Sequence, residues 1–335
     1  MNKKNGVRQS LAVSAALAAA LFLLPLLCIT PAREALFDRE EEESPPPPFE
    51  SGVEDGERML KVLDGETVVE MDLGTYLVGV VRAEMPASFP AEALKAQAVA
   101  ARTYTCYQLR SGSHHENADI CTDHTCCQAY LDEASARENW GSDANAYEEK
   151  IRAAVKETDG EVILYDSQPI LAVFHSASAG LTRAAGEVWL NDLPYLQAVE
   201  SPEDTEAIPN YYSRVEVTAQ TLREKFLAAF PEMDFSGDVS SWLTGAVTDS
   251  AGSVGAITVG GQTIKGTQVR SILGLRSVCF TWEVEGEKFV FYVTGYVHGV
   301  GLSQFGAAAM AESGADYQEI LTHYYSGVEI GNMGA

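Results

Sequence analysis

An uncharged, mostly apolar run from Leu11 to Ile29 decides how the rest of this chain must be read. Its nineteen residues are about enough to cross a bilayer core as a helix. Lys3, Lys4 and Arg8 precede the run and acidic residues follow from Glu34, a charge order that puts the N-terminus inside and the body outside. Two readings compete. A retained anchor is favoured by the length of the run and by the lack of a clean small-x-small site at its end; the other reading is a cleavable signal peptide. Lipid attachment at Cys28 is disfavoured by bulky Leu27 beside it. Either way the body is exported. We therefore expect residues 1–30 to be a single-pass membrane anchor with a cytoplasmic N-terminus.

Asp38 to Glu50 reads DREEEESPPPPFE, where like charges repel and the prolines favour an extended backbone. Residues 31–56 are thus expected to be an acidic, proline-rich linker, and residues 57–331 a folded ectodomain without internal repeats. With 46% hydrophobic residues the chain can bury a sizeable core. Its formal net charge of −25 excludes nucleic acid as a partner, since that binding depends on Lys and Arg displacing counterions.

The pattern within the ectodomain is α+β, with helices packed on antiparallel sheet. Met59 to Met71 alternates as a hairpin around Asp64-Gly65. Asp72 reads as the N-cap of a helix that Pro86 ends, and an alanine-rich helix runs from near Pro90 to about Leu109. So many alanines permit close approach of neighbouring elements. A third helix is expected over Ala146 to Thr158, and paired strands over Glu161 to Tyr165 and Gln168 to His175. Arg214 to Thr218, Val254 to Val259 and Phe289 to Thr294 read as strands. Helices are expected over Ala219 to Phe230, Gln304 to Glu312 and Tyr317 to Tyr325.

Glu84 has apolar sequence neighbours and falls in the last turn of its helix. Desolvation and the negative end of the helix dipole both raise a carboxyl pKa. An acid that keeps its proton near neutral pH is what glycosidic cleavage requires at the leaving oxygen. From spacing alone, a surface glutamate at a fraying helix end is the plainer reading.

The surrounding motif changes this. The segment from Tyr76 to Tyr104, with Ala83-Glu84-Met85-Pro86 at its centre, closely resembles the opening segment of the stage II sporulation protein D family. Further matches follow in order at Cys121-Thr-Asp, Cys127-Gln-Ala-Tyr130, Phe174-His-Ser-Ala-Ser178, Tyr195 to Pro202, His298 to Ala307 and Ile320 to Gly327. Together they cover essentially everything after the linker. The resemblance implies a lytic transglycosylase that degrades the glycan strands of peptidoglycan during engulfment in endospore formation, with Glu84 as catalytic acid/base. Such an enzyme needs one carboxylate, because the C6 hydroxyl of the muramic acid attacks within the sugar and leaves a 1,6-anhydro end, whereas hydrolysis usually uses two.

Candidate glycan-holding residues are Gln97, Arg102 and Tyr104 on the alanine-rich helix, His175 and Ser176 at a strand end, and His298 and Gln304 in a glycine-rich loop, with Tyr325 in the closing motif. Arg102 is a candidate partner for the lactyl carboxylate or for Glu84 itself; helix-packing polarity is the alternative. The glycines of the loop would let backbone approach a ligand. Val297 and Ala179 stand where the family commonly has glycine.

His115, Cys121 and Cys127 are spaced six and six apart, with His124 and Cys126 between the last two. Zn²⁺ prefers such thiolate and imidazole donors, and the resemblance implies these three as ligands of a structural zinc. The fourth ligand is left among water, Cys126 and His124, and a Cys121–Cys127 disulfide is the alternative. The resemblance also implies partnership with the engulfment amidase, stage II sporulation protein P, and the membrane scaffold, stage II sporulation protein M. Rival functions are a non-catalytic glycan-binding scaffold and a zinc or cysteine amidase. The amidase is disfavoured by the lack of His-Glu-x-x-His.

Overall fold

The structure, a computed structural model, describes residues 54–189, 191–296 and 299–332. The expected anchor, the expected linker up to residue 53 and His298 lie outside them. Among the described residues no helix is long and apolar enough to cross a membrane.

The chain opens with the expected hairpin, β1 (Met59–Asp64) and β2 (Thr67–Asp72), turned at Gly65 with φ 59°. Asp72 then accepts a hydrogen bond from the Thr75 N–H and caps α1 (Leu73–Glu84), as its sequence position requires. The alanine-rich α2 (Ala91–Ser111) follows, and residues 96–106 are buried without interruption. A helix buried on all sides is an interior helix. A loop carries the cysteines and the two-residue β3 (Ile120–Cys121), which pairs parallel with β1. Then come α3 (Glu133–Trp140) and α4 (Ala144–Glu157). The buried Arg82 side chain forms a two-bonded ion pair with Glu148, tying α1 to α4 two residues before Glu84.

β4 (Glu161–Tyr165) turns through Asp166 and Ser167, both at positive φ, into β5 (Gln168–Pro169). The expected strand from Gln168 to His175 is not continuous. After Pro169 the chain leaves β4, with the Leu171 N–H donating to the Tyr195 hydroxyl. Phe174–His175 forms β6, which pairs elsewhere. The short α5 (Ala185–Val188) precedes an excursion that sequence periodicity only partly disclosed.

In that excursion, β7 (Tyr212–Thr218) leads into α6 (Ala219–Ala229). Next come β8 (Leu243–Thr248), β9 (Val254–Val259) and β10 (Gln262–Lys265), an antiparallel sheet of order β10-β9-β8. Helix α7 (Gly266–Leu273) then leads to β11 (Phe280–Glu285) and β12 (Lys288–Thr294), which join β7 in the order β11-β12-β7. These elements enclose a hydrophobic core of their own, built on Phe226, Trp242, Phe289 and Phe291.

The chain returns through β13 (Leu302–Ser303), parallel to β6, into α8 (Gln304–Glu312), α9 (Tyr317–Tyr324) and β14 (Glu329–Asn332), which pairs with β4. The fold is mixed, with helices on mainly antiparallel sheets and two short parallel pairings. The first core centres on α2, against which α1, α4, α8, α9 and β4 all pack.

Arg102 belongs to this core. It is fully buried on α2 and donates to both carboxylate oxygens of Asp55 at 2.7–2.9 Å, and to the carbonyls of Val155 and Glu161. Every donor direction is taken within the protein, so the expectation that Arg102 meets substrate or Glu84 is corrected to a structural role. Removing one partner of such a pair leaves an uncompensated buried charge. Arg102→Gln is therefore expected to cost about 3–5 kcal/mol of unfolding free energy in a urea titration.

Candidate functional site

Glu84 is the last residue of α1, where Pro86 prevents the helix from continuing. Its side chain enters a cleft of about 580 Å³. Tyr104 of α2 contributes to one wall, and His124 to Gln128 of the cysteine loop to another. Val173 to Ser176 around β6, with Trp189 after α5 and Gln304 at the start of α8, complete the lining. Among the described residues of this lining Glu84 is the sole carboxylate.

Two donors hold it. The Ala129 N–H donates to Oε1 at 2.9 Å, and the Gln304 amide donates to Oε2 at 3.4 Å. The same Gln304 nitrogen is 3.3 Å from Oε1 of Gln97, a fully buried residue of α2, so its donor capacity is shared. Burial pushes the Glu84 pKa above the ordinary carboxylate range, against smaller opposing effects of the Ala129 and Gln304 hydrogen bonds and of His124. Burial wins because the second oxygen has only a long, shared bond.

The sequence candidates divide clearly. Tyr104, His175, Ser176 and Gln304 line the cleft with Glu84, and Gln97 stands behind Gln304. His175 is buried, its Nδ1 lies 3.1 Å from the Val300 carbonyl, and burial pushes its pKa down to about 4, so it is neutral at physiological pH. Tyr325 does not line the cleft. It is fully buried and its hydroxyl donates to the Val173 carbonyl, behind the wall that carries β6. The role expected for the loop glycines is also corrected at Gly301. A Cβ there would come 2.1 Å from the Val173 carbonyl oxygen, so this glycine (φ 76°) admits neighbouring backbone rather than a ligand.

Sequence reasoning missed three contributors. The Ala129 N–H is a backbone group and leaves no residue signature. Trp189, 38% exposed on the cleft, and Phe174 were hidden among ordinary apolar positions, although an exposed indole is itself uncommon.

The cysteine loop folds its donors together. His115 Nε2 lies 3.7 Å from Cys126 Sγ and 3.6 Å from Cys127 Sγ, and the two sulfurs are 3.9 Å apart. With Cys121, the four donor atoms all lie within 4.8 Å of one another. Tetrahedral zinc with Zn–S of about 2.3 Å and Zn–N of about 2.0–2.1 Å sets donor separations of about 3.5–3.8 Å, so this donor set fits that ion. His124 is exposed and lies outside the group. Burial and the neighbouring Cys121 thiol raise the Cys126 and Cys127 pKa values, a conflict that a cation at their centre would relieve.

The loop is bound to the acid it serves. Directly after Cys127, Gln128 donates to the Thr105 hydroxyl, Ala129 donates to Glu84, and the Leu131 N–H donates to the Gly79 carbonyl. Tyr130 lies flat over Gly79, where a Cβ would come 2.1 Å from its ring. Gly79 is thus the opening in α1 into which the loop docks.

The profile of the family described as "Stage II sporulation protein" matches residues 64–165, which include Glu84, α2 and the cysteine loop. Stage II sporulation protein D of Bacillus subtilis (strain 168) is 36% identical, across 81% of this chain and 77% of its own length. The protein of the same name from Bacillus amyloliquefaciens is 35% identical, across 79% and 75%. An amidase enhancer of Bacillus subtilis is 28% identical over 76% of this chain and 40% of its own length. The chain belongs to the stage II sporulation protein D family.

Proposed function

We propose that this protein is a peptidoglycan lytic transglycosylase of the sporulation septum. It would cut the bond between N-acetylmuramic acid and N-acetylglucosamine to leave 1,6-anhydro ends. The observation that carries this reading is a single half-buried carboxylate of raised pKa in a cleft whose other described lining residues include no second one.

Glu84 begins protonated. Its proton resides on Oε2, the oxygen held only by the long, shared Gln304 bond, while Oε1 is committed to the Ala129 N–H. It gives that proton to the glycosidic oxygen as the bond to C1 of the muramoyl unit breaks. The resulting carboxylate takes the proton of the C6 hydroxyl as that oxygen bonds to C1, which restores the acid. No water is consumed, so no second carboxylate is needed. Trp189 and Phe174 offer flat apolar surface to a sugar face, and Ser176 and Gln304 offer groups for hydroxyl and acetamido contacts. His115, Cys121, Cys126 and Cys127 would hold a zinc ion, which supplies a rigid crosslink for the loop that carries Ala129. With four protein donors it has no open position for chemistry, which argues against a zinc amidase. The membrane anchor and the engulfment partners implied by the sequence belong to this same reading.

The likeness to an amidase enhancer motivates a second reading, in which the protein binds glycan and stimulates an amidase without cutting. Incubation with peptide-free glycan strands and mass spectrometry separates the two. Anhydro-ended products are expected from the wild type, and Glu84→Gln is expected to lose about 10²–10⁴-fold in rate. Because the reactive form is protonated, the wild-type rate falls as pH rises through the raised Glu84 pKa; a rate that climbs through that range would overturn the assignment. Trp189→Ala is expected to raise KM about 2- to 10-fold with little change in kcat. Elemental analysis of the purified protein should find one zinc per chain, and Cys121→Ser should lose it along with thermal stability.

A further inference from the structure

Glu203 lies outside the cleft lining, yet two chain segments that build the cleft, around Ser176 and Gln304, converge on it together with the segment at Ser201. Its Oε1 accepts the Ser178 N–H at 2.9 Å and the hydroxyls of Ser178 at 2.6 Å, Ser201 at 2.9 Å and Ser303 at 2.8 Å. Among the described residues its Oε2 is buried without a partner, so the whole load falls on one oxygen. A neutral carbonyl oxygen offers two lone pairs. Four converging donors call for the concentrated charge of a carboxylate, whose hydrogen bonds are roughly twice as strong as neutral ones.

Two of the three serines lead toward the acid. Ser178 follows His175 and Ser176 of the cleft wall, and the Ser176 carbonyl accepts the Phe305 N–H of α8. Ser303 is the N-cap of α8, its hydroxyl accepting the Gly306 N–H, and the next residue is Gln304, which reaches Glu84. Ser201 bonds the Tyr324 hydroxyl of α9 at 2.7 Å. The chain leaves the first core just beyond Ser201 and re-enters it by Val300, just before Ser303, so this one side chain ties together the two stretches where the chain crosses between the cores.

We infer that Glu203 is a positioning residue that sets the start of α8, and with it the Gln304 amide, against Glu84. The kinetic part of its test rests on the proposed glycan cleavage; the spectroscopic part does not. In Glu203→Gln the receiving oxygen is neutral and the amide nitrogen enters a place with no acceptor, while the shape of the side chain is kept. Loosening Gln304 withdraws a donor that favours ionised Glu84. The other polar and titratable groups around Glu84 are the Ala129 N–H, Tyr104, His124, Cys126, Cys127 and His175, and the substitution touches none of them.

Glu203→Gln in the full-length, metal-loaded protein is therefore expected to lower kcat about 10- to 100-fold. It should also move the alkaline limb of the pH–rate profile to higher pH. Glu203→Ala should do the same more strongly, with Glu203→Asp partly restoring the limb. A merely structural tie would lower the folded fraction and leave the limb in place, and that result, or wild-type kinetics in Glu203→Gln, overturns the inference. If the wild type cuts no glycan, the proposed activity fails but the inference remains testable. ¹³C-carboxyl NMR of Glu84 should then show its titration moved upward in Glu203→Gln, and an unmoved titration overturns the inference.

Discussion

The interior packing of α2 is the constraint on which the first core and its cleft depend. Alanines at 96, 98, 100 and 101 remove side-chain bulk, so α1, α4, α8, α9 and β4 can all lie against one helix. Both partners of the acid's environment are then fixed by helical geometry. Gln97 and Tyr104 are seven residues apart, about two turns, and share the face toward the cleft. Arg102 is five residues from Gln97, about 140° around the axis, and meets Asp55 on another side. One helix thus serves a site with one face and closes the core with another.

The acidity of Glu84 follows from what this packing withholds. A carboxylate that accepts several good hydrogen bonds has a depressed pKa. Here the donors are one backbone N–H at 2.9 Å and one amide at 3.4 Å that is shared with Gln97. The nearby cation candidate, His124, sits exposed at the mouth. Burial therefore outweighs stabilisation of the charge, and the group is poised to give up a proton.

Local signals in the sequence were strong wherever one element carried its own punctuation. The Asp72 cap and Pro86 set the ends of α1, Asp64-Gly65 set the first hairpin, and Ser303 preceded an α8 of the expected extent. The position of Glu84 at a helix end was readable for the same reason. What was hidden depends on pairing at a distance. Phe174–His175 looked like a continuation of the strand from Gln168, yet its partner is Leu302–Ser303, more than a hundred residues on. The strands β8 and β10 alternate weakly, because the exposed positions of β8 include Val247 and β10 spans only four residues, so period alone did not mark them; β11 (Phe-Thr-Trp-Glu-Val-Glu) does alternate and was passed over. Arg102 was misread because a buried guanidinium and a substrate-binding one look alike until the carboxylate of Asp55, 47 residues earlier, is placed beside it.

On the proposed reading, the cysteine loop would let a group with no part in the chemistry govern it. Cys126 and Cys127 end the donor cluster, and two residues later the Ala129 N–H is on Glu84. Backbone that short has little freedom, so the position of that N–H is set by whatever holds the sulfurs together. A filled tetrahedral site would fix the loop against Tyr76, Gly79 and Thr105 at once, since the Tyr76 hydroxyl donates to the Cys121 carbonyl at the loop's other end. Without a central cation, the thiols and an imidazole give only weak mutual hydrogen bonds. The N–H would then be free to leave, and Glu84 would lose the donor that keeps Oε1 occupied and, on the proposed mechanism, its proton on Oε2. On the proposed reading, a metal that takes no part in bond breaking would in this way determine which oxygen of the acid does the work.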